Sequence, residues 1–424
     1  MMARPMTFPV KSALLFALSA GALSLVAQSP SLPSVPAPAT GNWVASWATS
    51  VQGPEQSQPG VDPAKLTDAT VRQIVHVSVG GTSLRVQFSN AFGTAPLVID
   101  AAAVATATAP DSSAVVPGST HPLTFSGAST VTIPVGATYV SDPAPLAVAP
   151  LGNLAISFHL PAAPSVESAH PGSRATSYLL AGNHVADTDL AGAEKVVRWM
   201  QLAEVDVTGP ANRTVVALGD SITDGHGATT DGNDRWPDIF AAHLQAAGMK
   251  DVAVVNEGIG GNHLLTNGIG VNVLERFDRD VLGVAGVRYV VVLEGINDLG
   301  ILSRMPNATP EQHATLVGRM EAAYVQVIER AHAHGIKVYG ATITPDTGSG
   351  YYHPTATDDA DRLAVNAWIR QPGHFDGCVD LDAVTRDPAH PNQLLPAYDS
   401  GDHLHPGPAG YKAMGNAIPL DWFR

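Results

Sequence analysis

The residues able to do chemistry fall in four short stretches. Gly219-Asp220-Ser221 ends the apolar run Val215 to Leu218, and Asn256-Glu257-Gly258-Ile259-Gly260-Gly261-Asn262 follows Val255. Glu294-Gly295-Ile296-Asn297-Asp298 follows Leu293, and Asp402-His403-Leu404-His405-Pro406 lies shortly before Tyr411. A serine hydroxyl is a poor nucleophile until an adjacent base accepts its proton. Histidine does this at neutral pH, and a carboxylate on the far side of the ring fixes its tautomer and stabilises the imidazolium. Ser221, His405 and Asp402 supply that set, and one turn can present both Asp402 and His405. An oxyanion developing at the attacked carbon needs donors fixed in advance; the Ser221 and Gly261 backbone N–H groups and the Asn297 side-chain amide can provide three. Taken alone, Gly219-Asp220-Ser221 reads equally as a loop serine capping the next helix.

For the four stretches to meet, the elements before them must end at one place. Short apolar runs bounded by turn residues read as buried strands: Val215–Leu218, Val252–Val255, Val287–Leu293, Ile336–Ile343 and Cys378–Leu381. Helix-like segments alternate with them at Trp236–Ala247, Val271–Leu282, Glu311–Ala333 and Asp358–Ile369. Alternation of this kind implies a parallel sheet covered by helices on both faces. Ligands in such sheets bind at the carboxyl ends of the strands, where all four stretches fall. Residues 210–424 are therefore expected to form a flavodoxin-like three-layer α/β/α domain of five strands.

The preceding residues 41–209 have a different texture. Val75, Val77 and Val79 alternate with polar residues, Gly80-Gly81 follows, and Leu84, Val86 and Phe88 alternate again, which predicts a β-hairpin. Val131–Val135 and Leu154–Phe158 repeat the pattern between turn-rich stretches, pointing to an all-β sandwich of jelly-roll-like kind. Residues 28–40 carry Pro30, Pro33, Pro36 and Pro38 and read as an extended linker. Residues 1–27, with Arg4 and Lys11 ahead of the apolar Ser12–Val26, read as a bacterial-type signal peptide, so a secreted or periplasmic location is expected.

Together the four blocks resemble those of the SGNH hydrolases, the GDSL esterase/lipase family, and the resemblance covers 210–424. Gly-Asp-Ser-Leu stands here as Gly-Asp-Ser-Ile. The resemblance implies that Ser221 is the nucleophile, His405 the base and Asp402 its orienting carboxylate. It also implies an oxyanion hole of Ser221, Gly261 and Asn297, and neither a metal nor an organic cofactor. Asn262, His263 and Asp224 are candidates to line the substrate pocket; Asp220 and Asp298 are expected to brace their loops. The β-rich region resembles the N-terminal part of some secreted bacterial carbohydrate esterases, which implies an acyl group, acetyl above all, on a plant polysaccharide or its oligomers. A lipase or short-chain carboxylesterase is the alternative, and a glycan-binding module with an inactive hydrolase domain the non-enzymatic one.

Composition removes other classes. A formal charge of −15, from 23 basic and 38 acidic residues, disfavours nucleic acid or an anionic membrane as a stable partner. A single cysteine, Cys378, leaves no intramolecular disulfide, and no Cys/His cluster has zinc spacing. His403 and His405 form a His-x-His pair without a third ligand at clear spacing. Neither a phosphate loop nor a dinucleotide fingerprint occurs. Trp43 and Trp47 read as core residues sooner than as sugar platforms, and Cys378 as a buried, inert thiol.

Overall fold

The computed structural model describes residues 41–55 and 59–424, so the expected leader at 1–27 and the linker at 28–40 lie outside the described residues. In the C-terminal half the apolar runs become strands buried almost throughout. These are β1 (Arg213–Gly219), β2 (Val252–Gly258), β3 (Val287–Leu293), β4 (Lys337–Ala341) and β5 (Gly377–Val379). They pair in parallel in the order β2-β1-β3-β4-β5. Valine-rich strands with no polar face require cover on both sides. The helices that provide it are α1 (Trp236–Ala246), α2 (Ile296–Ser303), α3 (Pro310–His332), α4 (Ala356–Arg370) and α5 (Pro408–Ala417). On one face, Phe240 of α1 meets Phe423 at 5.3 Å, and Phe423 meets Tyr289 of β3 at 5.1 Å. Elsewhere, α3 and α4 pack through Tyr324 stacked on Trp368 at 5.8 Å.

The long helices start where the sequence provides stops and caps. Thr309 and Gln312 form a reciprocal capping box with Pro310 in the first turn, and Thr355 with Asp358 forms another. The helix expected over Val271–Leu282 is interrupted instead. An α-helical turn, Val273–Phe277, passes into a wider π-turn over Asp278–Leu282, closed by Gly283 N–H on the Asp278 carbonyl at 2.8 Å. Arg276 and Asp280 on this segment are buried and hydrogen-bonded to each other at 3.1 Å, so it carries a polar cluster where an amphipathic helix would carry an apolar stripe. Cys378 lies on the edge strand β5 and is half-buried, not enclosed; burial and Asp380 push its thiol up to about 11, which keeps it protonated.

The β-rich half holds two facing antiparallel sheets. One has four strands in the order Val44–Ala48, Leu202–Thr208, Ser83–Ser89, Thr138–Val140. The other has six, in the order Glu194–Val197, Thr176–Ala181, Ala69–His76, Asn153–Leu160, Ala101–Thr106, His121–Pro122. Phe88 of the first sheet meets Phe158 of the second edge-to-face at 5.4 Å in the shared core. The predicted hairpin does not form. Ala69–His76 pairs with Asn153–Leu160 and Thr176–Ala181, whereas Ser83–Ser89 pairs with Leu202–Thr208 and Thr138–Val140. The connection crosses from one sheet to the other because Val77, Ser78 and Val79 are all buried. Ser78 Oγ donates to the Ser46 carbonyl at 2.8 Å and accepts the Val254 N–H at 3.0 Å, so this stretch faces the C-terminal half. Trp47 is core, edge-on to Trp199 at 4.9 Å, and Trp43 lies beneath the Arg85 guanidinium.

The change from antiparallel to parallel pairing falls between Thr208 and Arg213, yet the described residues form one compact unit. Val44–Ala48 lies against β2, and the Ala45 N–H donates to the Ala285 carbonyl at 2.9 Å. No helix among the described residues is long and apolar enough to cross a membrane.

Candidate active site

β1 ends at Gly219, and the next residue caps a single helical turn, Ser221–Asp224. The Asp220 carboxylate accepts the Ile222 N–H at 2.9 Å and thereby fixes the turn that carries Ser221. Burial pushes the Asp220 carboxyl up to about 7, against the pull of the Ile222 N–H and of Arg276. Ser221 Oγ stands 2.8 Å from His405 Nε2, and the His405 Nδ1–H donates to Asp402 Oδ2 at 2.6 Å. Asp402 is also the acceptor for two backbone donors, Leu404 N–H at 3.0 Å and His405 N–H at 2.8 Å. Burial works to raise the Asp402 carboxyl, but the His405 ring and these N–H groups outweigh it and hold it well below the usual carboxylate range. One turn thus presents an ionised carboxylate, an imidazole in a fixed tautomer and, across a single hydrogen bond, a hydroxyl.

Gly261 adopts a left-handed backbone (φ 69°), which puts the tip of the second loop beside Ser221. Asn297, at the start of α2, is buried; its Nδ2 donates to the Asn262 carbonyl at 2.7 Å and its Oδ1 accepts from the Tyr352 hydroxyl. With one amide proton and the carbonyl both held, planarity fixes the direction of the second amide proton. Tyr352 reaches Asn297 across Gly300, where a Cβ would come within 2.3 Å of the ring. Asp298 braces the second loop more than the third, because its carboxylate accepts the Leu264 and Leu265 N–H groups at 2.7 and 2.9 Å; burial raises its carboxyl to about 6.

The sequence-derived site residues divide in two. Ser221, His405, Gly261, Asn297 and His263 line one open cleft of about 500 Å³, and Asp402 lies behind His405. Asn262 and Asp224 do not reach it. Asn262 is fully buried, with Oδ1 on the Arg276 guanidinium at 3.0 Å and Nδ2 on the Val271 carbonyl at 2.8 Å. Asp224 is buried against His170 of the β-rich half at 2.9 Å. Both are framework, because their polar atoms are already satisfied inside the protein. His403 also turns away, to Asp399 at 2.5 Å. His226, Asp402 and His405 each bring a donor atom within 4.8 Å of the others, but these three residues are engaged with Arg174, Ser221 and one another.

Several residues of the site carried no signal in the sequence, and one, His226, is marked there only by its closeness to the nucleophile. Arg276 is buried beneath both loops. Its guanidinium donates to the Gly219 carbonyl at 2.9 Å, the Glu257 carbonyl at 2.6 Å and Ser50 Oγ of the β-rich half at 2.8 Å. It ties the ends of β1 and β2 together. Tyr351 and Arg304 form the rim; the Tyr351 ring is edge-on to His405 at 5.6 Å, and the Arg304 guanidinium lies over Tyr352 at 4.5 Å. His226 lies tilted against His405, with ring centroids 4.1 Å apart and planes at 42°. Aromatic and basic residues outside the four blocks had no spacing rule to bring them here.

A hydroxyl, an imidazole and a carboxylate in relay, beside fixed N–H donors at the carboxyl ends of a parallel sheet, define a serine hydrolase acting on esters. Residues 217–413 match the model of the GDSL-like lipase/acylhydrolase family, and the C-terminal half is a domain of that family, a family of serine esterases. Among solved structures, a lipase/acylhydrolase from Enterococcus faecalis is similar at 23% identity, covering 49% of this chain and 93% of that one, with a TM-score of 0.37. A GDSL-like lipase from Bacteroides thetaiotaomicron is similar at 20% identity, covering 49% and 85%, with a TM-score of 0.36. A variant acetyl xylan esterase from Geobacillus stearothermophilus is similar at 20% identity, covering 50% and 94%, with a TM-score of 0.36. A search of curated proteins found no match.

Proposed function

We propose that Ser221, His405 and Asp402 hydrolyse a short acyl ester, acetyl above all, carried by a carbohydrate. Ser221 Oγ attacks the carbonyl carbon while His405 Nε2 takes its proton; Ser221 N–H, Gly261 N–H and the Asn297 amide receive the oxyanion. The proton passes to the departing alcohol, leaving an acyl-serine, and water deprotonated by His405 releases the acid. The observation that carries this reading is the continuous relay, 2.8 Å from Ser221 to His405 and 2.6 Å from His405 to Asp402, opening on a cleft. A small acyl group is supported by Ile269, which lies directly against Gly261 and narrows the space beside the oxyanion donors. The half-exposed Tyr351 ring, with Arg304 and His226 at the rim, supports a polyhydroxylated alcohol, since sugars present both stacking faces and hydroxyl acceptors. The basic-then-apolar order of Arg4, Lys11 and Ser12–Val26 supports export to where such polymers occur.

A second reading has its own observation. An apolar groove of about 380 Å³, lined by Leu265, Ile301, Leu302 and Leu316, adjoins the cleft through Ile301 and suits a longer acyl chain. Rates on acetyl, octanoyl and decanoyl chromogenic esters, with acid release from acetylated xylan, separate the two. Fastest turnover on acetyl substrates with release from xylan is expected; rates that rise with chain length and no release from xylan would make the enzyme a carboxylesterase or lipase.

A further inference from the structure

We propose that Arg174 of the β-rich half and His226 of the turn after the nucleophile form a positioning pair that holds the His405–Asp402 dyad in its working orientation. The β-rich half is on this account a part of the catalytic apparatus. The inference rests on the Ser221–His405–Asp402 relay and not on the identity of the alcohol.

The Arg174 Nη2 lies 3.1 Å from His226 Nδ1. A guanidinium has donors only, so Nδ1 is the acceptor and the neutral ring carries its proton on Nε2. Nε2 lies 3.8 Å from Asp402 Oδ2, the same oxygen that receives the His405 Nδ1–H. A second N–H dipole therefore supports the carboxylate that fixes the catalytic tautomer. The His226 ring also leans against His405 with centroids 4.1 Å apart, and Tyr351 stands edge-on at 5.6 Å, so two rings adjoin the base.

His226 must remain neutral for this to work, because a cation centred 4.1 Å from the His405 ring opposes imidazolium formation in the transition state. The groups facing it are Arg174, His405, Asp402 and Asp224, and Tyr411, whose hydroxyl donates to its carbonyl at 2.5 Å. Burial first, then the positive character of His405 and Arg174, push the His226 imidazole down to about 4, against the opposite pull of Asp402 and Asp224. Arg174 is held in place in turn. Its backbone is left-handed (φ 47°), a conformation that non-glycine residues keep only where the surroundings enforce it, and its carbonyl accepts the Asp231 N–H at 2.8 Å. Alongside it, His170 joins the Ser50 carbonyl to Asp224 at 2.8 and 2.9 Å, fixing the start of the same turn from the same side.

The test is steady-state hydrolysis of a chromogenic acetate ester across pH. Arg174→Ala is expected to lower kcat about 10-fold with KM within about twofold, the size of coupling seen between residues in contact. The acid limb of its kcat/KM profile moves up by about one pH unit, since His226 then takes a proton more easily. Arg174→Lys recovers more than about half of the lost kcat, as a donor returns to Nδ1. In a His226→Phe background, Arg174→Ala adds less than about a twofold change, because the two act as one unit. Wild-type kcat and acid limb in Arg174→Ala, or an equal loss in the His226→Phe background, would overturn the proposal. If Arg174→Ala does not fold, His226→Phe decides alone: about a 10-fold fall in kcat at constant KM supports the pair, and an unchanged kcat refutes it. Ser221→Ala run in parallel reports on the relay itself, for full activity there removes the triad and not merely its support.

Discussion

The two halves of this chain use strands in opposite ways. In the C-terminal half each strand hands over to a loop at the same edge of the sheet, and those loops place Ser221, Gly261 and Asn297, with His405 arriving from the turn before α5. In the β-rich half the strands pack two sheets around a core, and its contribution to the site arrives sideways, through Ser50, His170 and Arg174. Of these three, Ser50 bonds the Arg276 cluster beneath the β1 and β2 loops, while His170 and Arg174 hold the turn after the nucleophile. One half places the atoms that meet substrate, and the other stiffens what lies behind them. That difference yields graded expectations.

The largest effect belongs to the residues facing the reaction. Asp402→Asn is expected to lower kcat on a chromogenic acetate about 10³–10⁴-fold while leaving the fold intact, because the amide favours the wrong imidazole tautomer. A loss under about 10-fold would mean that His405 needs no carboxylate. Asn297→Ala is expected to cost about 10²–10³ in kcat with little change in KM, as for loss of one oxyanion donor. A change confined to KM would move Asn297 from the oxyanion hole to ground-state binding.

At the junction, the effect should appear in stability. Arg276→Met takes the charged donor from the Gly219 and Glu257 carbonyls, while Asp280 keeps Arg279 at 2.5 Å and Ser50 Oγ at 2.8 Å. A loss of about 2–3 kcal/mol in denaturant unfolding is expected, the size of buried hydrogen bonds to a charged group. A change below about 1 kcal/mol would show that the junction is not held by this cluster.

The smallest effect concerns pH. Asp220 is raised to about 7, Asp346 to about 7 and Asp298 to about 6, each chiefly by burial. A carboxyl whose folded value exceeds its unfolded one stabilises the protein below the unfolded value, and that contribution is lost as pH rises through the folded value. The thermal midpoint should therefore be higher near pH 5 than near pH 8, since the contribution is lost as pH rises through these raised values. Asp402, held low, acts oppositely and only below about pH 4. A midpoint that rises from pH 5 to pH 8 would contradict the burial of these carboxyls.

The same contrast explains what could be read from the sequence. Parallel strands are buried on both faces and joined locally by helices, so Val287–Leu293 announces both itself and the loop that follows. The order β2-β1-β3-β4-β5 then follows from ordinary crossovers. In the β-rich half, alternation after Gly80-Gly81 located the strand Ser83–Ser89, whereas the run before it, Val75–Val79, met only the end of Ala69–His76, and neither pointed to the right partner. Pairing there joins residues such as Leu84 and Val207, far apart in the chain, and no local pattern encodes it. Site residues follow the same division. Ser221, Gly261, Asn297, Asp402 and His405 sit at strand ends or in a motif, whereas Arg174 and Arg276 are single cations whose meaning comes only from what packs against them. Asn262 and Asp224, close to motif residues in the chain, are taken up instead by Arg276 and His170, partners that no local pattern announces.

The central claim is that Ser221 becomes acylated through His405. It is tested most directly by treating the protein with an active-site-directed fluorophosphonate and locating the adduct by peptide mass spectrometry. The account predicts one adduct per chain, on Ser221, appearing in step with loss of esterase activity and slowed strongly in His405→Ala. Inactivation with the adduct on another residue, or full labelling of Ser221 without loss of activity, would contradict it.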